Sequence, residues 1–520
     1  MHLFSVILMV IVVLCAANVK AYRFLGVLHT GLKSHYIVGS ALMKELARRG
    51  HQVTVISPFP LKKPMENYVD IETPTIKAHM ESMAPILLQT VELSVIENVL
   101  NFHELGLNIT RTFLEETSVK ALLASNQSFD AVINEVFMSE SLFGLSEHYN
   151  APLIGLGTFG AHPWNTDMVG SPSPPSYVAS ALLPFNDRMT LWQRVVNFAF
   201  GVFERLFLDL YYLPKQAAIY RQYFPHNKRD MYAVRRNSAL VLLNQHVSLS
   251  FSRPYVHNQI EVGGMQINRK RSPLPADLER FINGSKHGVI YFSMGSNLRS
   301  KYLPLDKRQA ILETFGGLQQ RVLWKFEDPQ LAGKPDNVYI SDWFPQDDIL
   351  AHPNVKFFIT HGGLLSTTES IYHGKPFIGI PFFGDQFLNM KRAEAGGYGI
   401  KLEYTSLTKD TFKSVIERML SDGSYMERVA TVSAIYRDQP LKPLDLAVYW
   451  VEYVVRHKGA KHLHCSGQDL NVVQYHSLDV MLILFGGLTL VLWLIMCLMR
   501  AFWGWLQFAL VRKNNKEKTH

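Results

Sequence analysis

Cysteine is scarce: the chain has three in 520 residues, and their positions exclude a disulfide framework. Cys15 lies in an apolar leader, Cys497 in an apolar run near the other end, and Cys465 stands alone between them. The body must therefore be held by its core rather than by cross-links. A basic footprint is missing too. The formal net charge is +8, yet no basic stripe with interleaved aromatics occurs, and part of the excess sits in the terminal "VRKNNKEKTH". That pattern excludes a nucleic-acid-binding protein. Low-complexity tracts and internal repeats are absent. With 48% hydrophobic and 18% charged residues, the chain is not disordered, and its length calls for more than one globular unit.

Two apolar runs frame the rest. The leader "MHLFSVILMVIVVLCAANVKA" ends in Val19-Lys20-Ala21, a small-residue cleavage pattern, so residues 1–21 read as a signal peptide and the mature chain starts near Tyr22. Residues 480–499, "VMLILFGGLTLVLWLIMCLM", carry no charge and are long enough for a transmembrane helix. Arg500, the aromatic belt of Phe502, Trp503 and Trp505, and then Arg512, Lys513, Lys516 and Lys518 assign residues 500–520 to a cytoplasmic tail. The expectation is a single-pass type I protein with a luminal body. The ending "KEKTH" resembles a dilysine address for the endoplasmic reticulum membrane, and sequons at Asn108, Asn126 and Asn283 are glycosylation candidates in that compartment.

Between these runs, apolar strands alternate with helices. "RFLGVLHT" reads as a strand, "SHYIVGSALMKELARRG" as a helix capped by Ser34 and closed by Gly50, and "HQVTVISPF" as the next strand. This βαβ unit predicts a parallel sheet. "DAVINEVF", "APLIGLGTF" and "ALVLLNQH" supply further strands of a first unit over 22–268. After the charged, proline-bearing "NRKRSPLPADLERFING", a second α/β series runs through "HGVIYFSMGS", "RVLWKFE", "NVYISDWF", "KFFITHGG", "PFIGIPFF" and "GIKLEY", giving a second unit over 269–466. Ligands bind at the carboxyl ends of such strands, so two facing units make a cleft. The apolar stretch over 191–213, "LWQRVVNFAFGVFERLFLDLYYL", reads as a core or pocket-lining helix, with a membrane-surface helix as the alternative.

One stretch is denser in chemistry than the rest. "FFITHGGLLSTTESIYHGKPFIGIPFFGDQ" combines a strand, a Gly-Gly turn, a helix with a lone glutamate, and an Asp-Gln pair after the next strand. With the preceding "SDWFPQDDIL", it closely resembles the donor-binding signature of the animal UDP-glycosyltransferases, insect members in particular. Trp343, Pro345, Gln346, Thr360 to Gly363, Glu369, Pro376, Pro381, Asp385 and Gln386 carry the resemblance. It extends over nearly the whole chain through the leader, "LARRGHQVTVISPFP", "YFSMGS", "SLDV" and the basic tail.

The resemblance implies a GT-B fold: two Rossmann-like α/β domains facing a cleft, the first binding acceptor and the second binding UDP-sugar, followed by the transmembrane helix at 480–499. Trp343 is suited to stack on uracil and Gln346 to bond polar nucleotide edges. His361, Gly362, Gly363 and the helix start behind them suit the diphosphate, with Ser296 adding a hydroxyl. Ser366 and Glu369 face one way on that helix, so the carboxylate can accept the ribose hydroxyls. Asp385 and Gln386 are expected to read the hexose, and Arg253 matches an arginine near the donor's charged groups. Leu365 departs from the family, many members having a polar residue there, which bears on donor affinity or sugar choice.

For catalysis the resemblance assigns His35 as general base, with Glu135 in place of the usual aspartate and Asp130 as the weaker partner. No Asp-x-Asp triplet occurs, so no metal and no cofactor beyond the UDP-sugar co-substrate is expected. The implied activity is inverting transfer of a hexose, glucose before glucuronate, to a hydroxyl of small lipophilic acceptors, in detoxification or clearance. A glucuronosyltransferase, a non-catalytic lipophile carrier and a nucleotide-sugar hydrolase or epimerase are the alternatives, and a homo-oligomer stays open. The topology is directly testable: in sealed microsomes, added protease should remove only the tail, and digestion of the body without detergent would refute the luminal assignment.

Overall fold

The computed structural model of the chain describes residues 21–267 and 272–517, with side chains up to residue 512. The leader over 1–20, the unit boundary at 268/269 and Lys518 lie outside the described residues, and Lys513 and Lys516 are described by their backbone alone. Short apolar runs closed by turn residues form the strands, all paired in parallel. The first sheet contains β1 (Arg23–Val27), β2 (Gln52–Ser57), β3 (Tyr68–Glu72), β4 (Ala131–Glu135), β5 (Leu153–Gly157), β6 (Leu240–Leu243) and β7 (Gln259–Glu261), in the order β3-β2-β1-β4-β5-β6-β7. The second contains β8 (Val289–Ser293), β9 (Arg321–Lys325), β10 (Val338–Ser341), β11 (Val355–Thr360), β12 (Phe377–Gly379) and β13 (Gly399–Lys401), in the order β10-β9-β8-β11-β12-β13. Strand order reverses between β1 and β4 and again between β8 and β11. Crossovers leave to opposite faces at such a reversal and open a crevice at the carboxyl ends.

The helices that bear on the site and the anchor are α1 (Lys33–Arg48), α2 (Val95–Glu115), α3 (Leu191–Phe207), α4 (Leu364–Tyr372), α5 (Gln386–Ala395), α6 (Pro443–Arg456) and α7 (Leu478–Glu517). Helix α1 is not capped by Ser34 as expected. Its N-cap is Leu32, without a side-chain bond to the helix, and Ser34 lies inside the first turn. The Thr30 hydroxyl instead accepts from the Leu32 amide at 3.4 Å. Gly50 does close the helix, at φ +87°, where a side chain would be strained.

Helix α6 follows the second sheet in sequence but packs on the first. Val448, Val451 and Val454 share one buried cluster with Phe24, Leu42 and Val53. Arg49 pairs with Asp445 at 2.5 Å, and His51 Nε2 lies 3.1 Å from Glu452. The chain up to Cys465 is accordingly one compact unit, and Ser466–His520 is another. In the second, Leu478–Arg512 is long and apolar enough to cross a membrane.

Val451 is fully buried under β-strand side chains, so Val451→Ala should cost about 2 kcal/mol through lost methyl burial and the cavity left behind. A thermal melt of detergent-solubilised protein measures this; an unchanged curve would mean that α6 does not hold the sheets together.

Candidate active site

The carboxyl ends of both sheets border one cavity of about 440 Å³. On the first-sheet side, β1 leads into His29 and Thr30, α1 presents His35, and Glu135 is the last residue of β4. His35 Nδ1 lies 2.5 Å from Glu135 Oε1. The Thr158 hydroxyl, just past β5, is 3.0 Å from the same nitrogen and donates to Glu135 Oε1 at 3.3 Å. Thr30 donates to Oε2 at 3.2 Å. Burial pushes the Glu135 carboxyl up, but His35, His29 and the Thr30 hydroxyl together hold it below the ordinary glutamate value. The carboxylate fixes the His35 tautomer with the proton on Nδ1, leaving Nε2 as the basic nitrogen. Phe137 and Phe159 set their rings edge-on to the imidazole, with centroids 5.0 and 4.9 Å away.

The alternative partner, Asp130, precedes β4 at its opposite end, where it accepts from the Arg23 amide at 2.7 Å. A strand's direction thus separates the two candidates: only Glu135 reaches the crevice. His29 was not foreseen. It donates through Nε2 to the Phe137 carbonyl at 3.0 Å, its Nδ1 is 3.7 Å from Glu135 Oε2, and burial lowers its pKa.

On the second-sheet side, two glycines take conformations other residues resist: Gly295 at φ +83° after β8 and Gly362 at φ +81° after β11. The His361 ring lies between Gly295 and Gly363; a Cβ on either would come within 2.4 Å of it. Burial and the nearby Lys325 charge lower its pKa to about 4, so the ring is neutral near pH 7 and offers one N–H. Gly363 is the N-cap of α4 and supplies no side-chain bond to the first turn, whose free amides face an anion well. Ser296 lines the same wall.

Behind the turn, Gln346 Nε2 donates to Glu369 Oε2 at 2.7 Å and to Ser366 Oγ at 3.3 Å, while its oxygen accepts from the Tyr291 hydroxyl at 3.2 Å. Gln346 is therefore spent on orienting Glu369 as well as on edging the cavity. Burial pushes the Glu369 carboxyl up to about 8; Gln346 opposes this and the Asp347 charge adds to it. Trp343 is 51% exposed, its ring face open beside the Lys325 ammonium at 5.9 Å. Lys325, at the end of β9 and paired with Glu327 at 2.8 Å, also lines the cavity.

Asp385 is pushed up by burial, opposed by the Asn389 amide and by the charge of His35, so the two walls share one electrostatic field. Asn389 donates to Asp385 Oδ2 at 3.0 Å and to the Gly362 carbonyl at 3.0 Å, tying this carboxylate to the Gly-Gly turn. The Gln386 oxygen accepts from the Phe382 and Phe383 amides at 2.7 and 3.2 Å, leaving its NH₂ group for a ligand.

Arg253 is a correction. It does not line the cavity: its guanidinium donates to the Ala161 carbonyl at 3.3 Å and to the Ser173 hydroxyl. Arg392, on α5, is the arginine at the cavity wall. Leu365 lines the cavity and also packs on the first-sheet cluster that includes Tyr36. Thr158 was legible in principle as the residue just past a strand's carboxyl end; Lys325, Asn389 and Arg392 carried no sequence signal. Asn108, Asn126 and Asn283 are all exposed, although Thr110 of the first sequon is buried within α2. Among the described residues, no group of three or more His, Cys, Asp or Glu side chains could hold a metal ion.

A family model described as "UDP-glucoronosyl and UDP-glucosyl transferase" matches residues 27–513. The chain is 37% identical over 465 residues to UDP-glycosyltransferase UGT5 of Dactylopius coccus, covering 88% of each chain. It is 31% identical over 468 residues to UDP-glucuronosyltransferase 1A8 of Homo sapiens, covering 86% of each. Among solved structures, the spinosyn forosaminyltransferase SpnP matches with a TM-score of 0.57 at 14% identity, over 84% of this chain and 100% of that one. The calicheamicin glycosyltransferase CalG4 matches at 0.52 and 17% identity, over 84% and 99%. These neighbours are GT-B glycosyltransferases and establish the fold class.

Glu369 supplies a pH test. Burial raises its folded pKa to about 8, above the ordinary glutamate value of 4.5, so between these values the folded state binds a proton that the unfolded state releases. Its contribution to stability falls as pH rises through that window. Without ligand, wild type should lose more thermal stability than Glu369→Gln as pH climbs from about 5 to about 8. Equal slopes would place the Glu369 carboxyl in contact with solvent.

Proposed function

The chain belongs to the UDP-glucuronosyl and UDP-glucosyl transferase family and is a UDP-glycosyltransferase, and from that premise we propose that it transfers glucose from UDP-glucose to a hydroxyl of small lipophilic acceptors, with inversion and without a metal ion. The observation that carries this reading is the His35–Glu135 pair at 2.5 Å, with a basic Nε2 on the cavity wall. An acceptor hydroxyl is a poor nucleophile until its proton is removed. His35 Nε2 takes that proton while the acceptor oxygen attacks the anomeric carbon opposite the diphosphate. The bond from that carbon to the diphosphate oxygen breaks, and the electron pair leaves with UDP.

Charge develops at both ends of this step. The imidazolium at His35 is balanced by Glu135, and the departing diphosphate by the His361 N–H and the first-turn amides of α4. Uracil stacks on Trp343, the ribose diol donates to an ionised Glu369, and the hexose hydroxyls meet Asp385 and the Gln386 amide. Arg253 has no part in this scheme. Phe137, Phe159 and the apolar side chains around them give the acceptor half its preference for lipophilic molecules.

Glucose is favoured over glucuronate because two Dactylopius coccus relatives, one called UDP-glucosyltransferase 2, share 37–38% identity with this chain and a third 33%, against 31% for the human glucuronosyltransferase 1A8. The apolar segment Leu478–Arg512 and the basic residues after it support a single-pass anchor in the endoplasmic reticulum membrane, with a luminal, glycosylated body serving detoxification or clearance.

Incubation with UDP-glucose, UDP-glucuronate and a panel of phenols, followed by mass spectrometry, should yield glucosides. Glucuronides alone would reverse the donor assignment, and free hexose alone would indicate a hydrolase. His35→Ala should lower turnover by about 10² to 10⁴-fold with donor KM nearly unchanged. Glu135→Gln should lower turnover as well, since a neutral amide does not balance the imidazolium. A folded, UDP-binding His35→Ala protein with wild-type turnover on an unactivated alcohol would remove His35 from the role of base.

A further inference from the structure

Beside the main cavity lies a second, of about 130 Å³, that takes no part in the transfer step above. Leu32, Met80, Leu87, Ser296 and Asn297 border both, so the two are neighbours across a shared wall. The first-sheet side of the smaller one is built by the loop into α1 and by the helix Pro74–Met83. Gly31, at φ +61°, lets these two come together, since a Cβ there would stand 2.7 Å from the Met80 side chain. Lys33 and His35 are two residues apart on α1, hence about 200° apart around its axis at 3.6 residues per turn. One helix start therefore turns the imidazole to the main cavity and Lys33 to the smaller one.

The smaller cavity has unbalanced charge. Lys33, Lys77 and Arg299 line it against one carboxylate, Glu81, and none of the three cations has an ion pair among the described residues. Lys33 is half-buried, its ammonium 4.5 and 4.3 Å from the Tyr36 and Phe59 ring centres. Burial, and then the like charges of Lys44, Lys62 and Lys77, lower its pKa to about 8. A cation is thus held there without the counter-charge that desolvation calls for. Arg299 comes from the opposite side of the cleft, three residues past Ser296 in the loop after β8.

We propose that the smaller cavity is a subsite for a carboxylate carried by the acceptor, whose hydroxyl stands beside His35 and whose apolar body lies along the shared wall. The inference rests on the acceptor-side reading given above and names a class of acceptor for it: lipophilic hydroxy acids. The donor's groups have their places elsewhere, since His361, Glu369, Asp385 and Gln386 line the main cavity and not the smaller one. The Arg299 guanidinium offers a planar fork of donors that matches a carboxylate, and Lys33 adds a point charge. Leu32, Phe59, Met80 and Leu87 give the same cavity apolar sides, which suit an amphipathic acid better than a free inorganic anion. An acid so placed touches α1 on one wall and the loop after β8 on the other, and draws the two walls together.

The test uses the detergent-solubilised full chain with UDP present and reads binding rather than turnover. Equilibrium dialysis compares 6-hydroxy-2-naphthoate with its methyl ester, which has the same rings and hydroxyl and no charge. The acid should bind about tenfold more tightly, the scale of one charge-assisted hydrogen bond, and only its affinity should fall as salt rises. Lys33→Met keeps an apolar stem over Tyr36 and Phe59, and Arg299→Met removes the fork. Each should abolish most of the preference for the acid while leaving ester binding and the thermal melt unchanged, and Lys33→Arg should restore it. Equal binding of acid and ester by the wild type, or a parallel loss of both in the variants, would overturn the proposal. So would a loss of UDP-glucuronate affinity in Arg299→Met with the preference for the acid intact, since the anion would then belong to the donor. Because no readout requires transfer, failure to glucosylate any phenol would count against the reaction assigned above and leave this measurement standing.

Discussion

Parallel backbone pairing of β1 with β4 sets Val27 opposite Asn134, and the chemistry hangs on that register. One residue later, β4 ends at Glu135 while β1 leads into the loop that starts α1, so a carboxylate and an imidazole 100 residues apart in sequence meet at 2.5 Å. A register slip of one residue would turn Glu135 to the other face of the sheet and leave a buried carboxylate without its partner. The second sheet repeats the device: pairing of β11 with β8 sets Thr360 opposite Ser293, and the two loops that follow bring Gly295 against His361.

Burial of acidic groups is the cost of this arrangement, and the structure offsets it differently at each position. Glu135 is surrounded by two imidazoles and two hydroxyls, enough to keep it ionised in a dry place. Glu369 has a single amide donor and is pushed toward its neutral form, which a ribose diol would reverse by donating two hydrogen bonds. Asp385 stands between: Asn389 holds it, and the field of His35 reaches it across the cleft. A bound donor thus completes hydrogen bonding that the empty cleft leaves partial. Helix α6, which follows the second sheet in sequence yet is buried against the first, ties the two walls of the cleft together.

The reversed amphipathicity of α3 belongs to the same balance. Asn197 and Glu204 point inward because the loop around Ser180 offers them backbone and hydroxyl partners, and His162 a further one. Their partners are thereby fixed near the cavity wall. The apolar side chains on the opposite face are thereby left exposed.

Local pattern was enough to read the strands, because alternation of apolar runs with turn residues is a property of neighbouring positions. It was also enough for the Gly-Gly turn, the start of α4 at Leu364, the lone Glu369 and the Asp385-Gln386 pair, whereas Trp343 and Gln346 were placed with them through family resemblance. The turn, Glu369 and the pair lie within one continuous stretch, so their spacing carries their geometry. Pairing across long separations was not legible from composition or period: Glu135 was assigned to His35 only through family resemblance, Thr158 was marked only by its place just past a strand, and Lys325, Asn389 and Arg392 had no signal at all. Arg253 looked available because a loop arginine carries no mark of its partners, and only packing revealed that the Ala161 carbonyl and Ser173 occupy it. The stretch over 191–213 shows the division most plainly. Its sequence determined an amphipathic helix, but which face met the core depended on the partners offered to Asn197 and Glu204, and those come from chain segments that only tertiary folding brings together.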